Sequence, residues 1–232
     1  MKHLILFYGR TGSTMVYSSI LDYHSLVRGN TSELHSDNFM DATDWFADKD
    51  DWVLKMHINT GIDIDHYSNL LEYFLNKEKI DKIYFSYRED IFDTYLSYAV
   101  AINSDIWNSD TKQEYTPIGV GILPDHVSVR QADNIVSGSD LLLQCARNME
   151  NSFERWYANQ VRLFAMYNII PISYEDMVTT GKITNDLPMK TRIVKQNTLK
   201  EKLSLFEDKR IVYEHFNNHL KKYSWDNGRI VK

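Results

Sequence analysis

The run Gly9-Arg10-Thr11-Gly12-Ser13-Thr14 holds two glycines, one guanidinium and three hydroxyls within six residues. These residue types at this density suit the holding of an oxyanion. Glycine lets the backbone approach closely, the hydroxyls donate, and arginine supplies a charge that does not titrate. The flanking elements fit the same task. Leu4-Ile5-Leu6-Phe7-Tyr8 reads as a buried strand, and Met15, Ile20 and Leu21 set a helical pattern that Ser13 and Thr14 open. Strand, glycine turn and helix start bring the unsatisfied N–H groups of the first helical turn, and the positive end of its dipole, to one point. An ordinary strand-to-helix turn with Ser13 or Thr14 as N-cap uses the same residues, so this stretch alone leaves both readings open. It is not a Walker A loop: only two residues separate Gly9 from Gly12, and no lysine follows.

Further elements carry more candidates. Trp52 to His57 reads as a second core strand and Ile83 to Tyr87 as a third, ending at Arg88. Glu89 and Asp90 suit the first turn of a helix running to about Ala101. Ile64 to Asn76 and Asp140 to Tyr167 have helical spacing, the latter with Phe153, Trp156, Phe164 and Tyr167 near one core-facing side. Ile169 to Tyr174 is a fourth strand. Leu199 to Tyr223 closes the chain as a helix or helix pair, and Gly29 to His35 reads as a loop. Strands alternating with helices predict an α/β fold with a central, mainly parallel sheet flanked by helices. Ligands of such sheets collect outside the carboxyl ends of the strands. Arg10, Lys55, His57 and Arg88 all fall at such ends.

The 232 residues fit one domain, with an irregular stretch at about 103–137 that reads as a substrate-facing insert. Apolar content of 43% and charged content of 25% are those of an ordinary globular chain. The net charge of −6 argues against general affinity for nucleic acid or anionic membrane, so an anion would be held by local positive charge. The single cysteine, Cys145, excludes an intrachain disulfide and a cysteine-rich metal site. No signal peptide and no stretch of membrane-spanning length is seen, which predicts a cytoplasmic protein.

In this order the segments resemble sulfotransferases that use 3′-phosphoadenosine 5′-phosphosulfate (PAPS). Arg10-Thr11-Gly12-Ser13-Thr14 resembles the 5′-phosphosulfate loop of that family. Tyr87-Arg88-Glu89-Asp90 followed by Ser97 resembles its 3′-phosphate signature. The nine-residue interval from Arg88 to Ser97 is closer to the bacterial trehalose sulfotransferase type, with Glu89 standing where that type has a second arginine. Lys55-Met56-His57 resembles the K-x-H of the cytosolic enzymes, and Tyr174-Glu175-Asp176-Met177 the Y-E-D-[LM] whose tyrosine lies near adenine. The basic run Lys190 to Gln196, with Arg192 and Lys195, stands where a C-terminal loop closes over the 3′-phosphate.

The resemblance implies a P-loop-like three-layer fold and transfer of a sulfuryl group from PAPS to a hydroxyl or amine of a small-molecule or carbohydrate acceptor, leaving 3′-phosphoadenosine 5′-phosphate (PAP). Arg10, Thr11, Gly12, Ser13 and Thr14 would then bind the 5′ end, Arg88 and Ser97 the 3′-phosphate, and Tyr174, Arg192 and Lys195 would complete the nucleotide site. Lys55 would stabilise charge on the leaving group. The acceptor proton has two candidate bases, His57 and Glu33, and the bacterial-type spacing favours Glu33. No metal is required. Two rivals stand beside this reading: a nucleotide-dependent phosphotransferase, disfavoured by the missing Walker lysine, and a PAP-binding module without turnover.

Overall fold

The computed structural model describes residues 1–7, 10–26, 33–34, 49–58, 79–104, 138–189, 198–206 and 208–232. The helix expected over Ile64 to Asn76, residues 105–137 of the insert, and the basic run Lys190 to Gln196 lie outside them. In chain order the described elements are β1 (Lys2–Phe7), α1 (Ser13–His24), β2 (Glu33–Leu34), β3 (Trp52–His57), β4 (Lys82–Tyr87) and α2 (Ile91–Ser104). There follow α3 (Gly138–Met166), β5 (Ile169–Ser173), α4 (Tyr174–Thr180), β6 (Lys182–Thr184) and β7 (Leu187–Pro188). The chain closes with α5 (Leu199–Ser204), α6 (Lys209–His219), β8 (Ser224–Asp226) and β9 (Arg229–Val231).

Two compact units share these elements. The first comprises Met1–Glu89, Ser152–Arg192 and Trp225–Val231. Its sheet has the order β2-β3-β1-β4-β5, and every pairing is parallel. A parallel strand covered on both faces needs apolar residues throughout. In β1, Leu4, Ile5 and Leu6 are fully buried. On one face Ile5, Val53 and Tyr84 pack with Val16, Tyr17 and Ile20 of α1 and Met177 of α4. Each such side chain, removed from water, stabilises the layer by about 1.5–3 kcal/mol. On the other face Phe85 stacks on Trp156 of α3, with ring centroids 4.1 Å apart, and meets Trp225. The Trp156 indole N–H donates to the Gly228 carbonyl at 3.1 Å, fastening the β8–β9 hairpin to α3.

Two local expectations are corrected. Glu33 and Leu34, read as loop, form a short strand against Lys55 and Met56. Tyr174, read as the end of a strand, starts a helix. The cause is Ser173, whose hydroxyl accepts from the Asp176 N–H as N-cap, while Glu175 and Asp176 complement the dipole in the first turn. The core stripe predicted on α3 holds for Phe153 and Trp156, which are buried.

The second unit comprises Asp90–Asn151, Ile193–Ser224 and Lys232. Here Phe92 of α2 packs on Tyr213 and Phe216 of α6, and the Tyr95 hydroxyl donates to the Leu142 carbonyl of α3 at 3.1 Å. Cys145 is fully buried, and burial pushes its thiol pKa up, so it packs as an inert apolar residue.

Candidate functional site

The order of strands directs where a ligand can sit. After β1 the chain moves to β2 and β3 on one side, whereas after β4 it moves to β5 on the other. Adjacent strands whose connections leave in opposite directions open a crevice at their carboxyl ends. Residues 10–13 lie at the end of β1 and Arg88 at the end of β4.

The loop has the backbone of an anion cradle. Arg10 (φ 69°) and Gly12 (φ 78°) are both left-handed. Gly12 is the N-cap of α1, and no side-chain cap bond closes that helix end among the described residues. The capped-turn alternative, with Ser13 or Thr14 as N-cap, is therefore not what forms. A left-handed Gly12 followed by helical Ser13 reverses the backbone hand between neighbours. That reversal turns successive N–H groups, those of Gly12, Ser13 and Thr14, towards one concavity. The Gly12 carbonyl accepts from the Met15 and Val16 amides at 2.9 and 3.2 Å, so intrahelical bonding begins only beyond Thr14. Behind the loop, the Ser86 hydroxyl of β4 donates to the Thr11 carbonyl at 2.7 Å, in a fully buried setting.

Gly12 could not be another residue here. A Cβ on it would stand 2.7 Å from Cδ2 of Tyr174 and 3.1 Å from Cε of Met177. Tyr174 is thus packed against the loop, and the Arg88 guanidinium lies 4.5 Å from its ring centroid. Arg88 is only 8% exposed. Its Nε side faces Glu175 at 3.5 Å, and Glu175 also accepts the Glu89 amide at 3.0 Å. Glu89 itself accepts from the Ser173 hydroxyl at 2.9 Å and so belongs to the start of α4. This acidic surrounding is felt by Tyr87, whose phenol is pushed up to about 12 by burial first and then by Glu89, Asp176, Glu175 and Asp226.

Lys55 is the second cation brought to the loop. It is 6% exposed, with Nζ 3.3 Å from Thr14 Oγ1. The ammonium sits 5.3 Å from the Phe7 ring and 6.0 Å from the Tyr17 ring, which hold the charge away from bulk water. His57 ends the same strand, two residues on, and its ring meets Phe7 edge-on at 4.8 Å. The backbone of Glu33 is in register with Lys55 on the neighbouring strand, which is in turn in register with Ile5 of β1.

In the first unit the fold therefore brings together Arg10, Thr11, Gly12, Ser13, Thr14, Lys55, Arg88 and Tyr174, with His57 and the Glu33 backbone on the adjoining strands. Ser97 belongs to the second unit. There it is 3% exposed and accepts from the Lys202 ammonium at 2.8 Å, while Lys202 pairs with Asp93 at 2.7 Å. Arg192 and Lys195 lie outside the described residues.

Two residues escape a reading of the sequence, Ser86 and Glu175. For Ser86 a signal exists, a lone hydroxyl inside the apolar run Ile83 to Tyr87, since a polar group in a buried strand requires a partner. For Glu175 the sequence offers only its place in the Tyr174 to Met177 run, because Arg88 and Glu89, which it meets, lie 87 and 86 residues away.

Among the described residues no group of three or more His, Cys, Asp or Glu could hold a metal ion, and no described helix is long and apolar enough to cross a membrane. No family model, curated protein or solved structure matches the chain.

Proposed function

We propose that this chain is a PAPS-dependent sulfotransferase. The observation that carries the reading is the cradle at the start of α1. It combines a left-handed Gly12, an end of the helix without a side-chain cap, and the Lys55 ammonium 3.3 Å from the Thr14 hydroxyl. Backbone amides that converge beside a desolvated lysine suit a tetrahedral anion with a bridging oxygen that gains charge during reaction.

In the proposed reaction an acceptor oxygen or nitrogen attacks sulfur. The new bond to sulfur forms as the bond between sulfur and the bridging oxygen breaks, and PAP departs with the electron pair. Arg10, the amides of Thr11 to Thr14 and the hydroxyls of Ser13 and Thr14 hold the 5′-phosphate, and Lys55 neutralises the bridging oxygen. Arg88 is assigned to the 3′-phosphate, on the strand end next to β1. The acceptor proton passes to Glu33 or His57. Glu33 is favoured, because its strand register sets its backbone beside Lys55. The transferred group carries less charge than a γ-phosphoryl group, so this assignment routes no step through a metal.

The test is calorimetric titration of the whole chain with PAP and with ATP, each with and without Mg²⁺. Metal-independent PAP binding much tighter than ATP binding is expected. ATP binding that needs Mg²⁺, with PAP ignored, would replace the proposal with a phosphotransferase.

A further inference from the structure

We infer that Ser86 is a positioning residue of the anion cradle, holding the Thr11 carbonyl so that the Gly12 N–H is aimed into it. This rests on the assignment of the loop to a 5′-phosphate.

The argument runs through one peptide unit. The Ser86 hydroxyl, on β4 of the five-stranded sheet, donates to the Thr11 carbonyl at 2.7 Å across 75 residues of sequence. Both residues are fully buried. No peptide bond among the described residues is cis, so the carbonyl of Thr11 and the N–H of Gly12 point in opposite directions across a rigid plane. Fixing the carbonyl towards β4 therefore fixes the N–H away from β4, on the side where the Ser13 and Thr14 amides converge.

The neighbouring backbone makes such a latch necessary. Arg10 occupies the left-handed region without being glycine, at φ 69°. A non-glycine residue stays there only when its surroundings hold it. Gly12, two residues on, is also left-handed and can rotate more freely than any other residue. The peptide between Thr11 and Gly12 would thus be the loosest joint of the loop if its carbonyl lacked an anchor. Tyr174 limits Gly12 at its Cβ position, and Ser86 holds the carbonyl of the peptide that precedes it.

A purely structural Ser86 would satisfy a buried carbonyl and nothing more. The two roles differ in what they do to a 5′-phosphate. The test compares PAP with adenosine 3′-monophosphate, which lacks that group, on the wild type, Ser86→Ala and Ser86→Cys by calorimetry, with thermal melts alongside. The wild type is expected to bind PAP more tightly than adenosine 3′-monophosphate. Ser86→Ala should lower PAP affinity about tenfold, the loss of one aligned hydrogen bond to an anion, and leave adenosine 3′-monophosphate unchanged. Ser86→Cys, similar in shape with a weaker donor, should fall between, and it carries the test if the alanine variant does not fold. A lowered melting temperature with the PAP advantage intact in either variant would overturn the inference while leaving the cradle in place. Equal affinity of the wild type for the two nucleotides would remove the cradle assignment itself, and this inference with it.

Discussion

The Lys55 ammonium lies 3.3 Å from the Thr14 hydroxyl, joining the second strand of the sheet to the first turn of the first helix. The side chain is nearly buried between the Phe7 and Tyr17 rings. A lysine held this way is positioned before any ligand arrives, and preorganised charge is most useful where charge develops during reaction. Under the proposed sulfuryl transfer, Lys55→Met is expected to lower turnover at saturating PAPS by about 10²–10³-fold, with a much smaller change in PAP affinity. Single-turnover kinetics beside PAP titration would separate the two. A loss confined to PAP affinity would make Lys55 a binding residue only.

The base of the proposed transfer can be identified by subtraction. Loss of the general base should cost about 10²–10⁴ in turnover with nucleotide affinity preserved. Glu33→Gln is expected to show that loss and His57→Ala a smaller one. The opposite order would move the base to His57. Near-normal turnover in both would remove each from the role.

Gly12→Ala should damage the loop in two separable ways. A positive φ costs an L-residue roughly 1–2 kcal/mol, and the new methyl would collide with Tyr174 at 2.7 Å. Chemical denaturation should show a loss larger than the backbone strain alone. Adding Tyr174→Ala relieves the collision but not the strain, so the double variant should have a smaller Gly12→Ala increment that does not vanish. Independent, additive losses would mean that the ring does not press on this glycine.

His3 gives the fold a defined acid sensitivity. It is fully buried in β1, stacked on Tyr84, and its pKa is lowered to about 4, chiefly by burial and then by His24 and Lys82. The unfolded chain thus binds a proton at higher pH than the folded chain. Stability from this residue is complete above about pH 6.5 and is lost as pH falls towards 4, by about 3 kcal/mol in all. Urea unfolding at pH 7 and pH 5 should show wild type losing more than His3→Leu over the same interval. Parallel losses would assign the acid sensitivity to other groups.

The Lys202–Asp93 pair should behave as a buried pair does. Both residues are less than 10% exposed, and the ammonium also donates to Ser97. Removing one charge strands the other, at a cost of about 3–5 kcal/mol, whereas removing both is far less harmful. Thermal melts of Lys202→Met, Asp93→Leu and the double variant should therefore show the double variant closest to wild type. Losses that simply add would mean that the charges do not interact.

What the sequence determined by itself is the identity of the regular elements. The apolar runs at Leu4, Trp52, Ile83 and Ile169 became the strands β1, β3, β4 and β5, and the helical spacings after Ser13, Glu89 and Asp140 became α1, α2 and α3. Periodicity is a local property, written in the side chains of the element that shows it. The same holds for the crowding of Gly, Arg and hydroxyl residues after the first strand, and for cations at strand ends.

Tertiary structure decided the rest, because it concerns partners distant in sequence. Strand order set β4, not a sequence neighbour, beside β1. Backbone hand made Gly12 the N-cap although Ser13 and Thr14 are better cap formers. Ser173 turned Tyr174 from a strand end into a helix start and so carried its ring to Gly12. The Ser86–Thr11 latch and the pairing of Lys202 with Asp93 join residues 75 and 109 apart. No local propensity encodes such bonds. They form only where packing removes water and a buried polar group must find its partner in whatever chain lies alongside.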